Sequence, residues 1–278
     1  MRFTKMQGLG NDYVYVDCFE ERVPDAPALA RRISDRRFGV GSDGLILICP
    51  SDSGDARMEM YNADGSRSAM CGNGLRCVAR YVHERRGVAG PVLHIETDAG
   101  VKACTLVHTD GVLAGVRVDM GPPRLERSEI PMLGPEGRVI GERLDVQDHG
   151  LVVTCVSMGN PHCVTFVHEA AGFAVERWGR AIEHLPIFPE RTNVEFVQVL
   201  ARGEVVQRTW ERGSGETFAC GSGACAVAVA GRLNGLLDAS VLVHLTGGDL
   251  RIEWAGGPTD PVFMTGPAVE VFRGTFDA

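Results

Sequence analysis

The sequence predicts a mixed α/β fold of two pseudo-symmetric domains, each a curved β-sheet or barrel wrapped around a central helix. Three observations carry that expectation. Short β-rich runs punctuated by glycine dominate the chain. Near-copies of one tetrapeptide, Cys71-Gly72-Asn73-Gly74 and Cys220-Gly221-Ser222-Gly223, lie 149 residues apart, each ahead of a helical pattern. The same offset relates Asn11 in Gly10-Asn11-Asp12 to Asn160 in Gly159-Asn160-Pro161, and the run from Val92 through Thr97 to the run from Val241 through Thr246. In a chain of 278 residues such a repeat makes two domains of ordinary size with little left over.

Taken in order, β-branched and apolar runs bounded by turn residues predict strands over 13–18, 45–49, 92–97, 101–107, 112–119, 151–156, 164–167, 194–199 and 241–245. A first helix is expected over 26–36. After Cys71, the residues Leu75, Val78, Ala79 and Val82 recur at helical spacing until Gly87 stops the pattern. Its counterpart over 224–233 is apolar nearly all round, and a helix without a polar face belongs inside something, hence the expected wrapping of each sheet. A further helix over 173–183 starts near the place the repeat demands. Gly121-Pro122-Pro123, after the strand ending at Asp119, breaks the chain between the halves. Gly266-Pro267 echoes it, slipped by four residues, as a small deletion in a surface loop produces.

Bulk properties exclude several classes. A net charge of −8 without a basic run argues against nucleic acid as a partner. The N-terminal residues lack the apolar stretch of a signal peptide, and no run is long enough to span a membrane, so a cytoplasmic location is expected. The nine cysteines are odd in number and the expected compartment is reducing, which disfavours disulfides. The close pairs, Cys71 with Cys77 and Cys220 with Cys225, have poor spacing for zinc, and no metal is expected. Cys18, Cys49, Cys77, Cys104, Cys155, Cys163 and Cys225 read as small buried hydrophobes.

The two remaining thiols carry the chemistry. Halves facing each other across a cleft would present one thiol to each face of a carbon between them, which is what an epimerase or racemase needs to take a proton from one side and return one to the other. A Cys-Gly-x-Gly turn from strand into helix offers backbone N–H groups and a positive dipole end, which favour a thiolate and bind a carboxylate. Those donors can hold the charge that spreads onto an α-carboxylate as its α-proton leaves. One copy would read as a helix cap over a buried thiol; two at the repeat offset point to a reacting pair. Asn62 lies nine residues before Cys71 and Glu211 nine before Cys220, so matching places carry different chemistry, as an unsymmetrical site requires.

A set of segments, Gly8-Leu9-Gly10-Asn11-Asp12, Tyr61-Asn62-Ala63-Asp64-Gly65-Ser66, Met70-Cys71-Gly72-Asn73-Gly74-Leu75-Arg76-Cys77, Met158-Gly159-Asn160-Pro161-His162, Arg191-Thr192-Asn193, Trp210-Glu211-Arg212-Gly213 and Cys220-Gly221-Ser222-Gly223-Ala224, resembles the diaminopimelate epimerase family over nearly the whole chain. The resemblance implies a cofactor-independent, two-cysteine epimerase that converts LL-2,6-diaminopimelate to the meso form for lysine and peptidoglycan synthesis. It implies domains at 1–119 plus 265–278, with the C-terminal tail returning to the first, and at 120–264, flanking a cleft that holds the active site, and a homodimer. By the same resemblance Cys71 and Cys220 are the acid/base pair, with His162 and Glu211 in the catalytic set. Gly72, Asn73, Gly221 and Ser222 match the carboxylate cradles, and Asn11, Asn62, Asn160, Asn193, Glu211 and Arg212 match the substrate-binding set. One position departs: where many members carry glutamine after the aspartate of Gly41-Ser42-Asp43, this chain has Gly44.

Two enzymatic alternatives and one of another class are separable. Pyridoxal phosphate needs a Schiff-base lysine, and only Lys5 and Lys102 exist, neither in a phosphate-binding loop. A proline-racemase-like enzyme also uses two opposed cysteines, but a small apolar ring suits a greasier pocket than Glu211, Arg212 and the asparagines supply. A thiol switch would instead join Cys71 to Cys220 on oxidation, without isomerase activity in the reduced state.

Overall fold

The computed structural model describes residues 1–277; Ala278, which falls in the first expected domain, lies outside the described residues. The chain forms two compact units, Met1–Asp119 with Thr265–Ala278, and Met120–Met264. The first runs β1 (Arg2–Gly8), β2 (Asn11–Asp17), α1 (Ala26–Ser34), β3 (Gly44–Cys49), β4 (Ala56–Asn62), β5 (Arg67–Ser68), α2 (Gly72–Arg86), β6 (Val92–Thr97), β7 (Gly100–Thr109) and β8 (Val112–Asp119). The second runs β9 (Glu142–Val146), β10 (His149–Ser157), β11 (Pro161–Phe166), α3 (Val175–Glu183), β12 (Asn193–Ala201), β13 (Glu204–Glu211), β14 (Gly215–Thr217), α4 (Gly221–Leu233), β15 (Ser240–Leu245) and β16 (Gly248–Glu253). Then β17 (Phe263–Gly266) and β18 (Val269–Thr275) close the chain.

The pairings repeat. In the first unit β1 pairs antiparallel with β2, β2 parallel with β3, β3 antiparallel with β4, β4 parallel with β6, and β6 antiparallel with β7. In the second, β10 to β11, β11 to β12, β12 to β13, β13 to β15 and β15 to β16 follow the same alternation. A parallel pair needs a crossover, and each crossover here carries a helix: α1 and α3 in the first position, α2 and α4 in the second.

Helix α2 touches β1, β2, β4, β6, β7 and β8, strands spread over the whole pairing order, so the sheet curves around it. Its inward residues Leu75, Val78, Ala79 and Val82 are fully buried, and Gly87 ends it in the left-handed region at φ 66°. Helix α4 touches β10, β11, β12, β15 and β16 and is buried from Gly223 through Gly231, as its apolar composition requires. It starts at Gly221, three residues before the apolar pattern does, because Gly-Ser-Gly carries no hydrophobic signal. Helix α1 covers the opposite face, where Leu29, Ala30 and Ile33 join Val14, Val16, Leu45 and Leu47 in one cluster. Asp25 caps it on the Ala28 N–H at 3.0 Å. It stops at Ser34, short of the expected 36, because the Asp35 carboxylate instead binds the N–H groups of Arg37 and Phe38 at 2.7 and 2.8 Å.

Strand β18 pairs antiparallel with β1, and the fully buried Arg76 of α2 donates to the Pro267 carbonyl at 3.0 Å, tying the returning tail to the central helix. The expected buried cysteines are buried except two: Cys18 and Cys49 are only half-buried, their thiols meeting at the ends of the parallel strands β2 and β3. No helix of the described residues is long and apolar enough to cross a membrane.

Candidate active site

Each motif cysteine is the last extended residue before its central helix: Cys71 at φ −133° and ψ 123°, Cys220 at φ −114° and ψ 106°. The first amides of α2 and α4 therefore follow directly on the sulfur-bearing residues, and such amides have no partner within their own helix.

In the first unit the half-buried Cys71 thiol donates to Asn11 Oδ1 at 3.4 Å, and Asn73 Nδ2 donates to the same oxygen at 3.3 Å. Asn11 sits where the β1–β2 hairpin turns through Leu9 and Gly10, both at positive φ. Its Nδ2 donates to Asp43 Oδ2 at 2.7 Å, and Asp43 accepts from Arg36 at 2.9 Å. Asn62, at the end of β4, faces elsewhere: its Nδ2 donates to Ser66 Oγ at 2.9 Å within the following turn. Opposite it in the β3–β4 register is Gly44, where a Cβ would lie 2.2 Å from the Tyr61 carbonyl oxygen. A side chain there would require the backbone to shift, and the preceding Asp43 is the residue that binds Asn11.

In the second unit Cys220 is buried, with Ser222 Oγ 3.6 Å from its sulfur. His162, also buried, places Nδ1 2.7 Å from Glu195 Oε1 and Nε2 3.1 Å from Asn160 Oδ1. Asn193 spends its amide on the framework, donating to the Pro161 carbonyl at 2.8 Å and accepting from the Arg212 N–H at 2.9 Å. The Arg212 guanidinium donates to the Glu190 carbonyl at 2.8 Å and is exposed, while Glu211 accepts from Thr217 Oγ1 at 2.5 Å.

The expected lowering of the thiol by its helix end does not hold for Cys220. Burial, then the nearby carboxylates Glu211 and Glu195, push this thiol well above its ordinary range, and the opposing pull of the Ser222 hydroxyl and the Gly223 N–H does not prevail. One donor atom each of His162, Glu195 and Cys220 lie within 4.8 Å of one another. The His162–Glu195 hydrogen bond already occupies two of those donors.

Glu195 and Gln207 escaped sequence reasoning. Glu195 is a fully buried acid inside the apolar run Val194 to Val197, and a charge in such a run is the signal that could have found it.

The diaminopimelate epimerase family model matches residues 3–126 and 154–271. The diaminopimelate epimerase of Moorella thermoacetica is 56% identical over 278 residues, covering 99% of both chains. That of Pelotomaculum thermopropionicum is 54% identical over the same length, again with 99% of both covered. Among solved structures, a probable proline racemase from Agrobacterium radiobacter K84 matches with a TM-score of 0.71 at 17% identity, covering 99% of this chain and 92% of the other. A hydroxyproline epimerase from Agrobacterium vitis matches with a TM-score of 0.68 at 15% identity, covering 99% and 90%. At that identity the structures share a fold, whereas the family model and the full-length relatives at 54–56% identity show that this chain belongs to the diaminopimelate epimerase family.

Proposed function

We propose that this chain inverts one α-carbon of LL-2,6-diaminopimelate to give the meso isomer, with Cys71 and Cys220 as the two proton-transfer groups and no cofactor. The observation that carries the reading is that both thiols occupy the same station, immediately ahead of the central helix of each unit. In this reading the units present their sulfurs to opposite faces of the stereocentre. One sulfur takes the α-proton as the other delivers one. The amides of Gly72, Asn73, Gly221 and Ser222 hold the α-carboxylate and the charge that develops on it. Asn11, Asn62, Asn160, Asn193, Glu211 and Arg212 recognise the zwitterionic ends, with amides that donate and accept, a guanidinium for a carboxylate and an acid for an ammonium. Arg212 and Asn62, turned to local partners here, would have to re-aim on binding. His162 serves the Cys220 side, 3.1 Å from Asn160.

The test is turnover of LL-diaminopimelate by Cys71→Ala and Cys220→Ala. Each is expected to fold and to lose about a hundredfold to ten-thousandfold in kcat. In deuterated water, early product should carry deuterium while remaining substrate stays protiated. Near-normal turnover by either variant, or rapid wash-in to both pools, defeats the reading. We also propose a cytoplasmic homodimer, for which a monomeric mass in sedimentation would be the contrary result.

A further inference from the structure

The surroundings of Cys220 include a buried carboxylate to which the reaction as proposed gives no task. Glu195 lies on β12 between Val194 and Phe196, fully buried. Its Oε1 accepts from His162 at 2.7 Å, and its Oε2 has no hydrogen-bond partner among the described residues. The repeat supplies a control for what packing alone would place there. The residues that stand 149 positions before Gly223, Glu195 and Gln207 are Gly74, Ile46 and Met58. The structure fills the two niches in the same way: a Cβ on Gly74 would meet Ile46 Cδ1 at 2.6 Å and Met58 Cε at 3.2 Å. A Cβ on Gly223 would meet Glu195 Oε1 at 2.6 Å, Gln207 Nε2 at 3.2 Å and Cys220 Sγ at 3.2 Å. Uncharged side chains fill the first niche, Ile46 and Met58 with the Tyr15 hydroxyl at 3.8 Å; an acid and an amide fill the second. Burying a carboxylate with one oxygen unmatched opposes folding, so stability does not account for Glu195.

We propose that Glu195 is a positioning residue for Cys220, fixing the His162 ring through Nδ1 and placing a carboxylate within 4.8 Å of the sulfur that transfers the proton. The proposal rests on the two-cysteine reading above. In the donating direction the S–H bond breaks, the proton joins the carbanion and the electron pair stays on sulfur. In the other direction the carboxylate makes the thiolate a stronger base toward the α-proton. A neutral residue in that niche would let the thiol ionise earlier and leave the imidazole ring free to turn.

Glu195→Gln keeps the shape and removes the charge. Its kcat is expected to fall about tenfold to a hundredfold with KM changed by less than about threefold. Alkylation of Cys220 by iodoacetamide, followed by peptide mass spectrometry across pH, is expected to shift to lower pH, a change that a packing role would not produce. Glu195→Asp, which keeps the charge, should leave the alkylation profile near that of the wild type and restore part of the rate. Wild-type kcat together with an unmoved profile in Glu195→Gln overturns the proposal. If that variant does not fold, the wild-type profile decides, because a Cys220 midpoint at or below the ordinary thiol range overturns it equally. A dead Cys220→Ala beside a normal Glu195→Gln removes only this proposal, whereas an active Cys220→Ala removes the reading beneath it.

Discussion

Beneath the first turn of α2, Gly74 rests on Ile46 and Met58; beneath the first turn of α4, Gly223 rests on Glu195 and Gln207. The backbones agree, down to the parallel crossovers and the extended residue ahead of each helix, while the side chains in the niche have changed class. Tyr13 and His162 occupy matching positions on β2 and β11, as do Asn62 and Glu211 at the ends of β4 and β13. The lesson is that duplicated architecture fixes where a thiol stands, while the niche behind each thiol differs in charge. Cys71 meets the neutral amide of Asn11, which Asn73 also binds, whereas Cys220 is pressed by burial and by two carboxylates.

Exchanging the niche residues breaks this comparison most severely. Ile46→Glu puts a carboxylate into a fully buried niche beside the Tyr15 hydroxyl, with no charged partner at the niche, and should cost about 3 kcal/mol or more, read from urea midpoints. Glu195→Ile installs a residue its twin niche already holds, so its stability should change by less than about 2 kcal/mol while epimerase activity falls. Equal destabilisation by both would show that the second niche is as dependent on its carboxylate for folding as the first is on its isoleucine.

A smaller perturbation sharpens the same contrast. Alanine at either glycine brings a Cβ to 2.6 Å from its neighbour. At Gly74 the neighbour is the terminal methyl of Ile46, which can turn aside, so Gly74→Ala should cost about 1–3 kcal/mol of stability and leave kcat per folded molecule within a few-fold. At Gly223 the neighbour is the Glu195 oxygen bound to His162, and yielding means breaking that 2.7 Å bond. Gly223→Ala should therefore lose about tenfold in kcat at a comparable stability cost, measured as turnover normalised to folded protein.

The mixed α/β class was legible in the sequence because glycine-bounded β-branched runs and two helical patterns are local signals, and β3, β6, β8 and β15 fall where those runs predict. Strand β13 was not, for a physical reason that matters to the site. Its inward positions include Gln207 and Thr209, both nearly fully buried, so the apolar and polar alternation that marks a half-buried strand is missing. Strand β1 hides for a related cause: Lys5 is buried there, its charge met by Asp12 at 2.5 Å. The cysteine pair stood out through its repetition. Glu195 and Asp43 did not, because each acts through a partner distant in sequence, His162 in one case and Asn11 in the other.

The weakest expected effect separates the two hairpins that carry Asn11 and Asn160. The first is braced by charges: Lys5 and Arg36 both reach Asp12, at 2.5 and 2.8 Å, and Arg36 also reaches Asp43. The second is braced by His162 and by backbone, with Thr154 and Pro161 where the first has Lys5 and Asp12. Burial works against ionised Asp12, but the hydrogen bonds from Arg36 and Lys5 outweigh it and hold the carboxyl below its ordinary 3.8. A depressed carboxyl contributes its stability above the unfolded value and loses it as pH falls through the folded one. Asp12→Asn should therefore differ most from the wild type at neutral pH, and the gap should close as pH drops below about 3.8, by about 1 kcal/mol or less because Arg36 is largely exposed and screened. A residual loss that persists in acid would measure the cost of leaving the buried Lys5 with the Gly41 carbonyl alone. A gap that instead widened in acid would mean that Asp12 is protonated more readily in the folded chain than out of it, and the charged bracing of the first hairpin would then have no part in its stability.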